Sequence, residues 1–236
     1  REMIGKQTHQ YKFDLKKDEF FQVRVEQKGV DVSLKLLDEK GNVLATMDSP
    51  NGKEGFEILT FVSDKDGSFV LETISPNEKA EKGNYILKRE PSSKATPQDK
   101  RRVEVEKMFV EGIRARDTEG QSEIAIAKLE DAFRGYQEMK EVYLSDLIAK
   151  QIKAIKLKPR TDALIIEFKA PQKLVTEGQK LMSVGTKESL ESATKLMIEA
   201  VESSRKFFVR IDNKELNDIL TKEDKVDWKL ITKLNE

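Results

Sequence analysis

The stretch Glu19-Phe-Phe-Gln-Val-Arg-Val-Glu26, turned at Lys28-Gly29 and continued by Val30-Asp-Val-Ser-Leu-Lys-Leu36, decides the fold of the first ninety residues. Phe21, Val23 and Val25 alternate with Gln22, Arg24 and Glu26, and Val30, Val32, Leu34 and Leu36 repeat the alternation. A period of two puts one apolar face inward and one polar face to water, which is the signature of a half-buried strand. Working outward, Tyr11, Phe13 and Leu15 precede it; a weaker run over Val43–Met47, then Phe56, Ile58, Thr60 and Val62, Phe69, Leu71 and Thr73, and Tyr85 with Leu87 follow it. The breaks are turn material: Lys17-Asp18, Glu39-Lys-Gly-Asn42, Asp48-Ser-Pro-Asn-Gly52, Asp64-Lys-Asp-Gly67 and Lys82-Gly-Asn84. Seven or eight short antiparallel strands at this spacing predict a β-sandwich or jelly roll over residues 1–90.

The period changes after the linker 91–96. Thr96-Pro97-Gln98-Asp99 reads as a helix start, with a Thr N-cap, Pro at the first helical position and an acidic residue that reaches back to the cap. Val103, Met108, Phe109, Ile113 and Ala115 fall on a helix to about Asp117, and Ile124, Leu129, Ala132, Phe133 and Tyr136 on a second. Leu144, Leu147, Ile148, Ile152 and Ile155 make a third stripe, which Lys158-Pro159-Arg160-Thr161-Asp162 is expected to interrupt. Further helices are expected at about 162–169, 172–184, 187–209, 213–220 and 224–234, with a cap at Thr221 and Asp224. The reading is therefore α+β in two domains, a sandwich over 1–90 and an all-α domain over 97–236.

Composition removes most enzyme chemistry. The 236 residues carry 43 basic and 43 acidic side chains, one His and no Cys. Without Cys there is no thiolate nucleophile, disulfide or iron–sulfur ligand, and a lone His9 leaves no ordinary triad or His-based metal set. No cofactor and no metal site are expected. Zero net charge argues against a nucleic-acid partner, and no apolar run reaches the ~20 residues of a membrane span. The start at Arg1 reads as a processed product whose signal peptide lay upstream. His9 reads as structural, and Asp64-Lys-Asp-Gly67 as a hairpin turn. Asp31, inside an apolar run, reads as a hydrogen-bonding residue at the turn, with a calcium site shared with Asp48 or Glu57 as the alternative. Val226, Trp228, Leu230, Ile231 and Leu234 form an amphipathic stretch expected to cap the helices, with partner binding as its alternative.

The helical half echoes itself. Ala125, Leu129 and Ala132 recur as Ala193, Met197 and Ala200, offset by 68 residues, and Gly112 recurs as Gly178. Twice the ~34 residues of a tetratricopeptide repeat is the same distance. This half resembles a short tetratricopeptide-type array, with 103–139 and 169–206 as the better repeats; an ordinary helical bundle would carry the same stripes. The resemblance places Glu106, Phe109, Ile113 and Arg116, then Gln172, Val175, Gln179 and Met182, on a concave face suited to a peptide or partner protein. Inter-helix packing is the competing role for Phe109, Ile113 and Val175.

The first half has its own resemblance. His9-x-Tyr11-x-Phe13-x-Leu15, Gly29-Val-Asp31-Val-x-Leu34-x-Leu36, Asp38-x-x-Gly41, Gly55-x-Glu57-x-Leu59, Gly67-x-Phe69-x-Leu71 and Gly83-Asn84-Tyr85 are similar to bacterial pre-peptidase C-terminal domains over about residues 7–90. Ala95-Thr-Pro-Gln-Asp99 is similar to the form followed by tetratricopeptide helices. That resemblance implies a bacterial, non-catalytic module exported to the periplasm or beyond, with the cytoplasm left open. The resulting expectation is a protein-interaction scaffold: the helices recruit a protein or peptide, and the sandwich stabilises or tethers. Two alternatives stand beside it. One is a carbohydrate- or matrix-binding β module with a helical spacer; the other is the regulatory part of a larger caspase-like peptidase of the CHAT type.

Overall fold

In the computed structural model, which describes residues 1–211, two antiparallel sheets are followed by four helices. Strands β1 (Glu2–Met3), β3 (Glu19–Lys28), β6 (Glu54–Val62) and β8 (Gly83–Arg89) form one sheet in the order β1-β8-β3-β6, with β9 (Ser93–Lys94) also on β3. Strands β2 (Thr8–Leu15), β4 (Ser33–Asp38), β5 (Val43–Met47) and β7 (Gly67–Ile74) form the other in the order β2-β7-β4-β5. Facing rings join the layers: Phe13 stacks on Phe21 at 4.4 Å and Phe61 lies 5.8 Å from Phe69. The expected sandwich is there.

Turns fall where the sequence puts them. Gly41 takes φ 82° in the β4–β5 turn, which costs a residue without Cβ little. Gly83 allows close approach, because a Cβ there would sit 2.7 Å from the backbone carbon of Gly29. Asp31 precedes β4, which begins at Ser33 rather than at Val30.

One strand turns inward the face opposite to the one its pattern predicts. Strand β3 alternates cleanly, but Glu57, Ile58, Leu59 and Thr60 of β6 are buried consecutively. Register shows which face is which: Phe21, Val23 and Val25 lie opposite Phe61, Leu59 and Glu57. Glu57 and Leu59 therefore point into the sandwich. Phe56, Ile58, Thr60 and Val62, the alternating set that the sequence predicts to be inward, lie on the other face. Helix α1 (Pro97–Arg116) packs on β6, and Phe56 is covered by the Tyr143 ring at 5.5 Å and the Arg24 guanidinium at 3.6 Å.

Helix α1 begins with the predicted capping box. The Asp99 N–H donates to Thr96 Oγ1 at 3.2 Å, and Asp99 Oδ2 accepts from the Thr96 N–H at 2.9 Å. Helix α2 (Ser122–Glu138) returns against it. Helix α3 runs from Val142 to Met182 through Pro159 and Pro171, where the sequence predicts breaks, and α4 spans Lys187–Arg210. A proline in a helix removes one N–H bond and crowds one carbonyl, at about 3 kcal/mol. Here the orphaned carbonyls are those of Ile155 and Glu167, and nearby the Thr161 hydroxyl donates back to Leu157 O, four residues earlier, at 3.1 Å. The helix absorbs both.

The chain packs as two compact units, Arg1–Ile155 and Lys156–Glu236. The first has one core that runs from the sandwich through Val105, Phe109, Leu129, Tyr136, Leu144 and Ile148. In the second, Phe168 and Phe207 are buried together at 5.6 Å. No helix among the described residues is long and apolar enough to cross a membrane. The expected helices at 213–220 and 224–234, and the amphipathic stretch with Trp228, lie outside the described residues.

Candidate functional site

Among the described residues each sheet ends on one side in a strand paired to a single neighbour: β6 is bonded only to β3, and β5 only to β4. Such a strand presents a row of free N–H and C=O groups. On β6 helical side chains take up that role. The Phe56 N–H donates to Tyr143 Oη of α3 at 3.2 Å, and the Thr60 N–H donates to Glu106 Oε2 of α1 at 2.8 Å. A glutamate in mid-helix thus does the work of a missing strand. It is 5% exposed, and burial pushes its carboxyl up to about 7 against the Thr60 bonds and the nearby Arg102.

Strand β5 is treated differently. Helix α1 reaches it through Arg114 Nη2, which donates to the side chain of Thr46 at 3.0 Å, not to the backbone. Val43 and Leu44 are 55% and 39% exposed. Between β5 and α1 lies a cavity of about 500 Å³, floored by Leu59 and Phe61 and walled by Val103 and Val110. A second, of about 520 Å³, continues past Thr46, Val110 and Arg114 to Asp48 and Ile113. Together they make one groove along α1.

The polar interior of the sandwich lies beyond the acidic end of that groove. Glu57 Oε2 accepts from the Ser49 N–H at 2.8 Å, and Oε1 accepts from Asn51 Nδ2 at 2.9 Å and Gln27 Nε2 at 3.3 Å. Burial raises the Glu57 carboxyl to about 8, although these donors favour its ionised form. Asp31 is raised by burial, and Asp48 by desolvation and then by the like charge of Asp31. The three acids that the sequence grouped do share a neighbourhood. Among the described residues, however, no group of three or more His, Cys, Asp or Glu is placed to hold a metal ion. At the other end of the sandwich His9 Nδ1 and Tyr11 Oη lie 2.8 and 2.6 Å from Tyr85 Oη, joining β2 to β8 across the layers.

The expected contact residues divide between the units. Glu106 and Phe109 face the interior, and Phe109 meets Tyr136 edge-on at 6.4 Å. Ile113 is half-buried in the groove wall. Arg116, also half-buried, is held by Asp117 and by Gln151 Oε1 at 2.7 Å. In the second unit Val175 is buried, Gln172 half-buried, and Gln179 and Met182 are exposed. Sequence reading missed Val43, Leu44, Lys107 and Arg114. The available signal was the lack of any charged residue in Val43–Met47, because edge strands usually carry one.

The repeat echo has a packing counterpart. A Cβ on Gly112 would meet Leu129 Cγ at 2.8 Å, and one on Gly178 would meet Met197 Cε at 3.1 Å. Ala125, Ala132, Ala193 and Ala200 are all fully buried.

No family model matches the chain, and no curated protein matches it. Among solved structures it is similar to the pre-peptidase C-terminal domain of a collagenase from Bacillus anthracis. The identity is 19%, over 38% of this chain and 88% of that one, with a TM-score of 0.30. At that score the likeness adds nothing to the strand registers.

Proposed function

We propose that the chain is a non-catalytic protein-interaction module of an exported bacterial protein, in which the sandwich stabilises α1 and the helical surface receives a protein or peptide. The carrying observation is the groove between β5 and α1, with exposed apolar residues at its lip and Ile113 in its wall. The two helix pairs are read as diverged copies of one tetratricopeptide-like unit, supported by Gly112 against Leu129 and Gly178 against Met197. Under this reading Arg116, Gln172, Gln179 and Met182 are secondary contacts, and Glu106, Phe109 and Val175 hold the helices in place.

A photo-crosslinking amino acid at position 113, 179 or 86 of the whole chain tests this in envelope extract. Crosslinks to protein from 113 or 179 are expected. Crosslinks from the exposed Ile86 of β8 alone would replace the reading with a matrix-binding sandwich.

A further inference from the structure

The two edge strands beside α1 are finished in opposite ways. Strand β6 has two of its outward N–H groups, those of Phe56 and Thr60, taken by Tyr143 and Glu106, whereas β5 is touched on a side chain. No charge interrupts Val43-Leu-Ala-Thr-Met47. A strand left in this state pairs readily with another chain, main chain to main chain.

The charges along the groove are ordered. The cavity beside Val43 is lined by Lys107 and Arg114, and its one surface acid, Glu111, is already bonded to Lys128 Nζ at 2.6 Å. Past Arg114, which lines both cavities, the far end holds Asp31 and Asp48 with Lys35, and the Arg116 beside them is committed to Asp117 and Gln151, which leaves two acids against one base there. Strand β5 and helix α1 advance in the same direction, from Val43 and Val103 toward Asp48 and Asp117. A strand added antiparallel to β5 begins at the Asp31–Asp48 end and finishes beside Lys107.

We propose that the groove binds an extended peptide segment as an antiparallel strand on β5, with its N-terminal end basic and its C-terminal end acidic. This rests on the interaction-module reading and gives it a partner chemistry. Alternate apolar side chains of the segment contact Leu59, Phe61 and Val110, and its main chain completes the edge that α1 leaves open. The Arg114–Thr46 bond is exchanged for a bond to the segment's acid.

The test is selection from a displayed library of random ten-residue peptides on the whole chain. Binders are expected to alternate apolar residues and to carry Asp or Glu in their second half. For a synthetic binder, Lys107→Glu weakens affinity about tenfold, and a Lys in place of the peptide's acid restores it. N-methylation of alternate peptide nitrogens abolishes binding. Circular dichroism confirms that the variant folds, since Lys107 is exposed. Binders indifferent to both Lys107→Glu and N-methylation overturn the strand-addition proposal but leave an interaction module. Selection that yields no binder overturns both.

Discussion

The helix pair α1–α2 and the pair made by the end of α3 with α4 carry the same signature and meet different surroundings. In each a glycine faces a large side chain flanked by two buried alanines. Behind the first pair stands a sandwich, so Phe109, Leu129 and Tyr136 are fully buried. In the second, Leu190 and Ile198 remain 45% and 56% exposed. The first unit also buries two carboxyls, Glu57 and Glu106, while every described Asp and Glu of the second is exposed. A repeated motif sets how two helices touch, and the scaffold behind them sets how much that contact is worth.

The largest expected separation of the two regions is by pH. Burial raises Glu57 to about 8 and Glu106 to about 7. A carboxyl whose folded pKa lies above its unfolded value contributes stability that is complete below about 4.5 and is lost as pH rises through the folded value. Unfolding of the first unit in urea should therefore weaken by several kcal/mol between pH 5 and pH 9, the reverse of ordinary acid denaturation. The second unit should change little. Glu57→Gln should flatten the profile of the first unit, costing stability at pH 5 and recovering it at pH 9. A wild-type midpoint that rises with pH would remove the buried carboxyls as the cause.

Next in size are the glycines of the first pair. A Cβ at Gly135 would lie 2.3 Å from Val105 Cγ2, on a β-branched side chain fixed in the core. Gly135→Ala should destabilise by about 3 kcal/mol, from overpacking of a site that cannot yield, and Gly112→Ala by about 2 kcal/mol. Thermal unfolding of the whole chain reads both, in the transition of the first unit.

Glu106→Ala follows at about 2 kcal/mol. It strands the Thr60 N–H in a buried place, which costs more than the net worth of the bond itself. Glu106→Gln keeps an acceptor and should cost less than half as much. Equal costs for the two variants, measured in urea at pH 6, would show that the Thr60 bond carries little of the α1–β6 contact.

Much of this was legible from residues whose local pattern and tertiary role agree. Phe21-Gln-Val-Arg-Val25 alternates in sequence and in burial, and Thr96-Pro97-Gln98-Asp99 caps the helix it announces. Failures came where a neighbour distant in sequence rewrote the rule. Helix α1 covers the outer face of β6, so its apolar residues read as inward when Glu57 and Leu59 were. Glu106 read as a polar groove residue because nothing local tells a surface glutamate from one that completes a sheet edge. Pro159 read as a stop, since the helix formers on both sides outweigh a penalty that the dipeptide alone makes look decisive. The candidate groove was visible in part: Ile113 lay on the expected face, but Val43–Met47 read only as a weak strand, and its lack of charge went unused.

The smallest effect is the most discriminating for the comparison. Gly178→Ala repeats Gly112→Ala at the matching position of the second pair, where the nearest atom is the terminal methyl of Met197 at 3.1 Å and the next is Ala193 O at 3.4 Å. Met197 is half-buried and flexible, so its methyl swings away at little cost. Replacing a mid-helix glycine by alanine adds about 0.5–1 kcal/mol through backbone entropy. The gain is the larger of the two, and the balance should fall on the stabilising side by less than about 1 kcal/mol. If Gly178→Ala instead costs as much as Gly112→Ala, the second pair is packed as rigidly as the first. The scaffold behind a helix pair would then not be what sets the tolerance.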